Sequence, residues 1–219
     1  MICLKNKNII ITGASSGIGQ ATSILCSKLG ARVLLIGRRE EKLKEVILEM
    51  DDHSNQSYLV GDITCHDEFE FNFKEKLKSF GKVDGVVHSA GIEMTRPLKM
   101  LKTKSLNEVM QLNLFSPINI TRILNGRGIF NEIGGSIIFI SSIVGVLGQP
   151  GKVGYSASKG ALISASKSLA LELASKKIRV NSVLPAMVKT EMSIKLLEKL
   201  PDDAKIKIED MHPLGIGSP

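Results

Sequence analysis

Residues Lys7-Asn8-Ile9-Ile10-Ile11 lead into Thr12-Gly13-Ala14-Ser15-Ser16-Gly17-Ile18-Gly19. A segment of helical pattern follows, Gln20-Ala21-Thr22-Ser23-Ile24-Leu25-Cys26-Ser27-Lys28-Leu29, and Gly30 stops it. The β-branched run predicts a strand and the glycines a tight turn, so the stretch reads as strand, turn, helix. Glycines let a backbone turn sharply and approach a ligand, while the first turn of a helix offers unpaired N–H groups and a positive dipole end. Gly13, Ser15, Ser16, Gly17, Ile18 and Gly19 are therefore candidate binding residues for a pyrophosphate. The spacing is Gly-x-x-x-Gly-x-Gly rather than the Gly-x-Gly-x-x-Gly dinucleotide fingerprint, and an ordinary glycine-rich turn has the same composition.

The next apolar run narrows the choice. Ala31-Arg32-Val33-Leu34-Leu35-Ile36 suits a strand buried on both faces, and Gly37-Arg38-Arg39 follows it. In dinucleotide folds the end of the second strand meets the adenosine ribose, where a carboxylate accepts the 2′-hydroxyl of NAD and an arginine accommodates the 2′-phosphate of NADP. Two arginines here favour NADP(H) over NAD(H), because a guanidinium pairs with phosphate in a fork that a carboxylate would oppose. Arg38 is the first choice. The alternative is that both arginines are solvated helix-entry residues ahead of Glu40 and Glu41, a reading that suits Arg39 more than Arg38.

Tyr155 and Lys159 lie four apart in Gly154-Tyr155-Ser156-Ala157-Ser158-Lys159, and Ser142 ends an apolar strand-like segment upstream. Positions four apart share a helix face, so a phenol and an ammonium at this spacing can enter one cleft. A neighbouring cation favours phenolate and brings a tyrosine toward useful proton exchange near neutrality. A bare Tyr-x-x-x-Lys pair also occurs by chance in many helices.

Taken in order, these motifs resemble the short-chain dehydrogenase/reductase family, and nearest within it the 3-oxoacyl-(acyl-carrier-protein) reductases. Residues 12–19 resemble its cofactor turn, Asp62-Ile63 its adenine-contacting pair, and His88-Ser89-Ala90-Gly91 the Asn-Asn-Ala-Gly stretch that steadies the sheet. Asn113, Ser142, Tyr155 and Lys159 match its catalytic tetrad; the thirteen-residue step to Tyr155 selects Ser142 over Ser141. Asn181 to Thr190 resembles the segment that meets the nicotinamide, which adds Pro185, Val188 and Thr190 to the cofactor contacts alongside Ala90 and Gly91. The resemblance implies hydride transfer between NADP(H) and a carbonyl or secondary alcohol, with Tyr155 as proton donor and Ser142 bonded to the same oxygen. Lys159 then serves both the phenol and the nicotinamide ribose, and Asn113 anchors a water that resupplies the proton. Asn113 also fits a polar residue that bends its helix through a local backbone bond.

Three departures stand out. His88-Ser89 replaces the paired asparagines, Ala186 stands where the family places glycine, and the family's final helix and strand are not found before Pro219. A shortened chain is the expectation from the last of these. An alternative on the same fold is an NADP(H)-binding sensor with weak or no turnover.

Composition fits one α/β domain spanning 1–219: 43% of residues are hydrophobic and 23% charged, enough apolar content for a single core. The patterning predicts a doubly wound parallel sheet flanked by helices. Strands fall near 7–12, 32–36, 57–61, 83–88, 135–141 and 179–184. Helices fall near 17–29, 40–50, 66–79, 104–131, 154–175 and 191–210, with a break at Pro201. Gly13, Asp62, Ala90, Ser142 and Pro185 each follow a predicted strand, so five strand ends point to one crevice. Residues 187–211 read either as a substrate lid, with Met192, Ile194, Leu197 and Leu200 inward, or as helices packed on the body.

The net charge of +7 comes from lysines scattered beside carboxylates, and two tyrosines without tryptophan offer no stacking platform, so no nucleic-acid partner is expected. The longest apolar tract, residues 137–147, is too short and too interrupted to span a bilayer, and the amino terminus has no apolar leader; a cytoplasmic protein without membrane association is expected. Cys3, Cys26 and Cys65 and the four histidines lack metal-ligand spacing, so no metal is expected. The partners implied are a small carbonyl or acyl thioester substrate and a second copy of the chain, as a homodimer or a homotetramer. Ala161, Ser164, Ala165 and Ser168 are small enough for close helix contact.

Overall fold

The structure, a computed structural model, describes residues 2–198 and 200–219, excluding the side chains of Asp203, Ala204 and Lys207. Six strands form one sheet: β1 (Asn8–Thr12), β2 (Arg32–Gly37), β3 (Ser57–Val60), β4 (Gly85–His88), β5 (Gly135–Ile140) and β6 (Ile178–Val183). Their spatial order is β3-β2-β1-β4-β5-β6 and every pairing is parallel. The chain winds outward from β1 to β3 and then restarts on the other side of β1. Beyond the carboxyl ends of β1 and β4 the connections therefore diverge, which opens a crevice at that switch in strand order.

Alternation along the strands fills two core layers. Ile10, Leu34, Ile36, Val86, Ile137 and Phe139 meet α3 (His66–Phe80), α5 (Ser116–Leu124) and α7 (Val153–Leu173), the last preceded by the short α6 (Val144–Leu147), on one face. Ile9, Ile11, Val33 and Leu35 meet Leu43 and Val46 of α2 (Glu40–Leu48) on the other, with Ile24 and Cys26 of α1 (Gly17–Lys28) packed alongside. Helix α3 shows which forces dominate. Its buried Phe69, Phe73, Leu77 and Phe80 each stabilise by roughly 1.5–3 kcal/mol. The Glu70–Lys74 ion pair on its outer face adds only about 0.3–0.5 kcal/mol.

The single helix expected over 104–131 is three pieces. Helix α4 (Thr103–Met110) passes through a π-helical turn, Gln111–Phe115, into α5, which ends at Leu124. The extra residue in that turn lets Asn113 face the β4 end while Ile120, Ile123 and Leu124 keep their place in the core. Beyond α5, Gly126 and the positive φ of Gly128 break the helical path, and Phe130 instead bridges Val83. The later break occurs where Pro201 predicts it, between α8 (Glu191–Leu197) and α9 (Asp202–Asp210). After α9 the chain returns to the β6 exit, where Val188 and Gly217 form a parallel bridge and the Lys189 N–H donates to the Gly217 carbonyl at 2.7 Å.

Two glycines fix the turn after β1. Gly13 has φ +68°, and a Cβ there would lie 2.7 Å from the Ala90 backbone at the end of β4; a Cβ on Gly19 would lie 2.3 Å from the Gly13 carbonyl oxygen. Side chains at either position would push the turn out of the crevice.

Candidate active site

A cavity of about 930 Å³ lies across the carboxyl ends of the strands. Of the residues singled out from sequence, Gly13, Ser15, Ser16, Gly17, Ile18, Arg38, Arg39, Asp62, Ile63, Ala90, Gly91, Ser142, Tyr155, Lys159, Pro185, Val188 and Thr190 all line it. Gly19 and Asn113 do not. Gly19 sits beneath the turn against Gly13, and Asn113 is only 1% exposed behind the loop that follows β4.

At one end is the glycine turn. Ser16 precedes α1 in extended conformation and its side chain makes no capping bond, so the first N–H groups of α1 are left for a ligand. That vacancy, with Gly13 and Gly17 presenting no Cβ, fits the pyrophosphate of a dinucleotide. Arg39 donates to the Ser15 hydroxyl at 3.3 Å and also lies 3.7 Å from Glu191. Arg38 lies 3.7 Å from Asp62 with most of its side chain in solvent, a pairing too exposed to stabilise much. Burial alone would raise the Asp62 carboxyl, but the Thr64 backbone and hydroxyl, both donating to Oδ1, and the Arg38 charge together hold it below its ordinary value.

At the other end, the start of α7 and the end of β5 bring three groups together. Tyr155 and Lys159 share one face of α7, with the Lys159 Nζ 5.8 Å from the centre of the Tyr155 ring. The two serines after β5 divide their work. Ser141 Oγ donates to the Lys159 carbonyl at 2.8 Å, whereas Ser142 Oγ accepts from the Val144 N–H and keeps its own proton available beside the phenol. Lys159 is buried and donates to the Ile140 carbonyl at 2.8 Å; burial brings its ammonium down to about 8. The phenol does not follow the sequence expectation of a depressed pKa. Burial raises Tyr155 most, the neighbouring Ser142 hydroxyl lowers it, and the Glu93 carboxylate raises it further, so the net shift is upward.

Asn113 works at one remove. Its Oδ1 accepts from the Ile92 N–H and its Nδ2 donates to the Ile92 carbonyl, each at 2.9 Å, while the second amide proton goes to Ser158 Oγ at 3.1 Å. Both donors are thus committed to the protein. Ala186 has no positive φ, so the absence of glycine there imposes no backbone strain. Of the apolar residues expected over the cavity, Met192 and Leu200 line it but Ile194 and Leu197 do not. Leu196, Ile208 and Met211 line it instead, because the turn of α8 brings Leu196 inward and α9 folds back over the mouth. His212 ties this segment down. Its Nε2 accepts from the Met187 N–H at 3.1 Å, which leaves Nδ1–H to donate to the Ile208 carbonyl at 2.7 Å.

Local sequence reading missed Glu93 and Lys152. They form an ion pair across the cavity wall, and the Lys152 Nζ lies 5.8 Å from the Tyr155 ring centre. The available signals were a carboxylate two residues beyond Gly91 and a lysine three before Tyr155.

The model of the short chain dehydrogenase family matches residues 7–201. The chain belongs to that family. As a short-chain dehydrogenase it is an oxidoreductase. It is 34% identical over 213 residues to the 3-oxoacyl-(acyl-carrier-protein) reductase FabG of Thermotoga maritima, covering 97% of this chain and 85% of the relative. It is also 34% identical over 194 residues to a glucose 1-dehydrogenase of Gluconobacter oxydans, covering 88% of this chain and 73% of that one. A crystal structure of a dehydrogenase/reductase from Sinorhizobium meliloti 1021 superposes with a TM-score of 0.87 at 29% identity, over 99% of this chain and 84% of the other. Among the described residues, no helix of this short-chain dehydrogenase is long and apolar enough to cross a membrane.

Proposed function

We propose that the protein is an NADP(H)-dependent carbonyl reductase whose substrates are small ketones of the 3-oxoacyl thioester class. The observation that carries this reading is one cavity with the Ser142 hydroxyl, Tyr155 phenol and Lys159 ammonium at one end and the glycine turn with Arg38 and Arg39 at the other. The wider coverage by the 3-oxoacyl reductase relative than by the glucose dehydrogenase supports the thioester class.

When bound, the nicotinamide dinucleotide supplies hydride. The chain supplies the rest. Tyr155, held protonated, gives its proton to the carbonyl oxygen as charge grows there, and Ser142 donates a hydrogen bond to the same atom. Lys159 spends one N–H on Ile140 and has two left, which suits a pair of ribose hydroxyls. Asn113 acts as a positioning residue: by holding both backbone groups of Ile92 it sets the Gly91 turn against the ring. Pro185, Val188 and Thr190 border the nicotinamide side, and residues 187–211 form a lid, with Met192, Leu196, Leu200 and Met211 turned inward to exclude water.

The remaining parts of the proposal are that residues 1–219 act as one domain, in the cytoplasm, and that the α7 face carrying the exposed Ser164 and Ser168 pairs with a second copy. Sedimentation of the purified chain tests the last of these.

The direct assay is NADPH oxidation against a panel of ketones and 3-oxoacyl thioesters, run beside a binding titration. Oxidation with the thioesters supports the reading; binding without oxidation across the panel favours the sensor on the same fold. Arg38→Ala should weaken NADPH by about tenfold or more, the range of a lost charge-assisted bond, and leave NADH within about twofold. Equal losses for the two cofactors would remove the 2′-phosphate from Arg38.

A further inference from the structure

The Glu93–Lys152 pair is an unexpected feature of the cavity wall. Among the described residues most ion pairs lie on helix surfaces, between side chains that solvent screens. Lys152, at the entry to α7, is only 7% exposed, and its Nζ donates to Glu93 Oε1 from the loop after β4. Thr95 donates its hydroxyl to the same oxygen at 2.5 Å, so the carboxylate is held from two sides. Both charged residues line the cavity, and the Lys152 Nζ stands as close to the Tyr155 ring as Lys159 does, 5.8 Å in each case. A buried pair of this kind contributes little net stability, because desolvation offsets the attraction. Its position beside the phenol suggests another use.

We infer that Glu93, anchored by Lys152 and Thr95, is an electrostatic positioning residue that keeps the proton on Tyr155. Two ammonium groups flank the phenol, and unopposed they would draw it toward phenolate. Glu93 neutralises the nearer environment of Lys152 and adds a negative charge that disfavours a second one on the phenol oxygen. The other charged or titratable groups on this cavity are Lys159 on α7, Arg38, Arg39 and Asp62 beyond β2 and β3, and Glu191 and His212 after β6. The Glu93 carboxylate acts on the phenol upward. The inference builds on Tyr155 as proton donor only for its consequence, that the site favours reduction at neutral pH.

The chain makes the test clean. It has two tyrosines, Tyr58 and Tyr155, and no tryptophan, so in a Tyr58→Phe background the ultraviolet absorbance of phenolate reports Tyr155 alone. Titration of that protein should give a midpoint that falls by on the order of one pH unit with Glu93→Gln and rises with Lys152→Met, which leaves the carboxylate unopposed. The double variant Glu93→Gln/Lys152→Met carries no unpaired buried charge and should fold even where a single variant does not; its midpoint should lie between those of the two single variants, above that of Glu93→Gln and below that of Lys152→Met. A Glu93→Gln midpoint that coincides with that of the parent, or with that of the double variant, would overturn the inference. Because phenolate absorbance needs no substrate, that result is distinct from failure of the reductase reading, which the NADPH assay decides.

Discussion

Tyr155→Phe is expected to bind NADPH within about twofold of the parent protein and to lose on the order of 10²–10⁴-fold in turnover, the range of a missing general acid. The substitution is a narrow one. Phenylalanine keeps the ring that Lys152 and Lys159 flank at 5.8 Å, so packing at the start of α7 is retained. What disappears is the O–H beside Ser142. Ser142 alone can still offer a hydrogen bond to the carbonyl oxygen, but a developing alkoxide also needs a proton. The pH profile separates the contributors. With the phenol held above its ordinary value, reduction should stay level through neutrality with respect to Tyr155. A decline that begins near pH 8 would report Lys159, whose burial brings its ammonium to about that value. Stopped-flow hydride transfer with a saturating ketone, beside fluorescence titration of NADPH, makes the measurement. Unchanged turnover in the variant would remove Tyr155 from the proposed role.

The parts of this site that were legible in sequence are those that depend on local spacing. A strand that ends in Gly13, a turn with Gly17, and a phenol and amine four apart are dictated by backbone geometry within one turn of chain. The convergence of strand ends after β1, β3, β4, β5 and β6 follows from the alternation of strand and helix, since right-handed crossovers leave few ways to arrange a parallel sheet. What stayed illegible depends on partners distant in the chain. The π-helical turn at Gln111–Phe115 carries no local mark. It is tied to Asn113 reaching Ile92, 21 residues away in sequence. Glu93 and Lys152 are 59 residues apart. The direction of the Tyr155 shift was misjudged for the same reason: spacing shows the neighbouring lysine, but burial by the surrounding loops sets the larger effect. Leu196 in place of Leu197 over the cavity is a one-residue rotation of a short helix.

His88 supplies the second large effect, in stability rather than chemistry. It ends β4 between Thr12 and Phe139, with its ring stacked on Phe139 at 4.9 Å between centres. Thr121 already donates its hydroxyl to the Pro117 carbonyl at 2.8 Å, so the 3.1 Å contact with His88 must have Nε2–H as donor. Nδ1 is then a buried acceptor without a partner among the described residues. Burial pushes the His88 pKa down to about 3. The unfolded chain, where a histidine titrates near 6.5, binds more protons than the folded one between those values, so stability is full above pH 6.5 and is lost as pH falls through that window. The slope approaches 1.36 kcal/mol per pH unit, which amounts to about 2 kcal/mol between pH 7 and pH 5. His88→Phe keeps an aromatic ring against Phe139 and leaves Thr121 bonded to Pro117, but cannot titrate. Urea unfolding at the two pH values should therefore show the parent losing about 2 kcal/mol more than the variant on acidification. Parallel losses in the two proteins would mean that the β4 end admits a charged imidazole at little cost, through water or a shift of Phe139, and that acid sensitivity lies elsewhere in the fold.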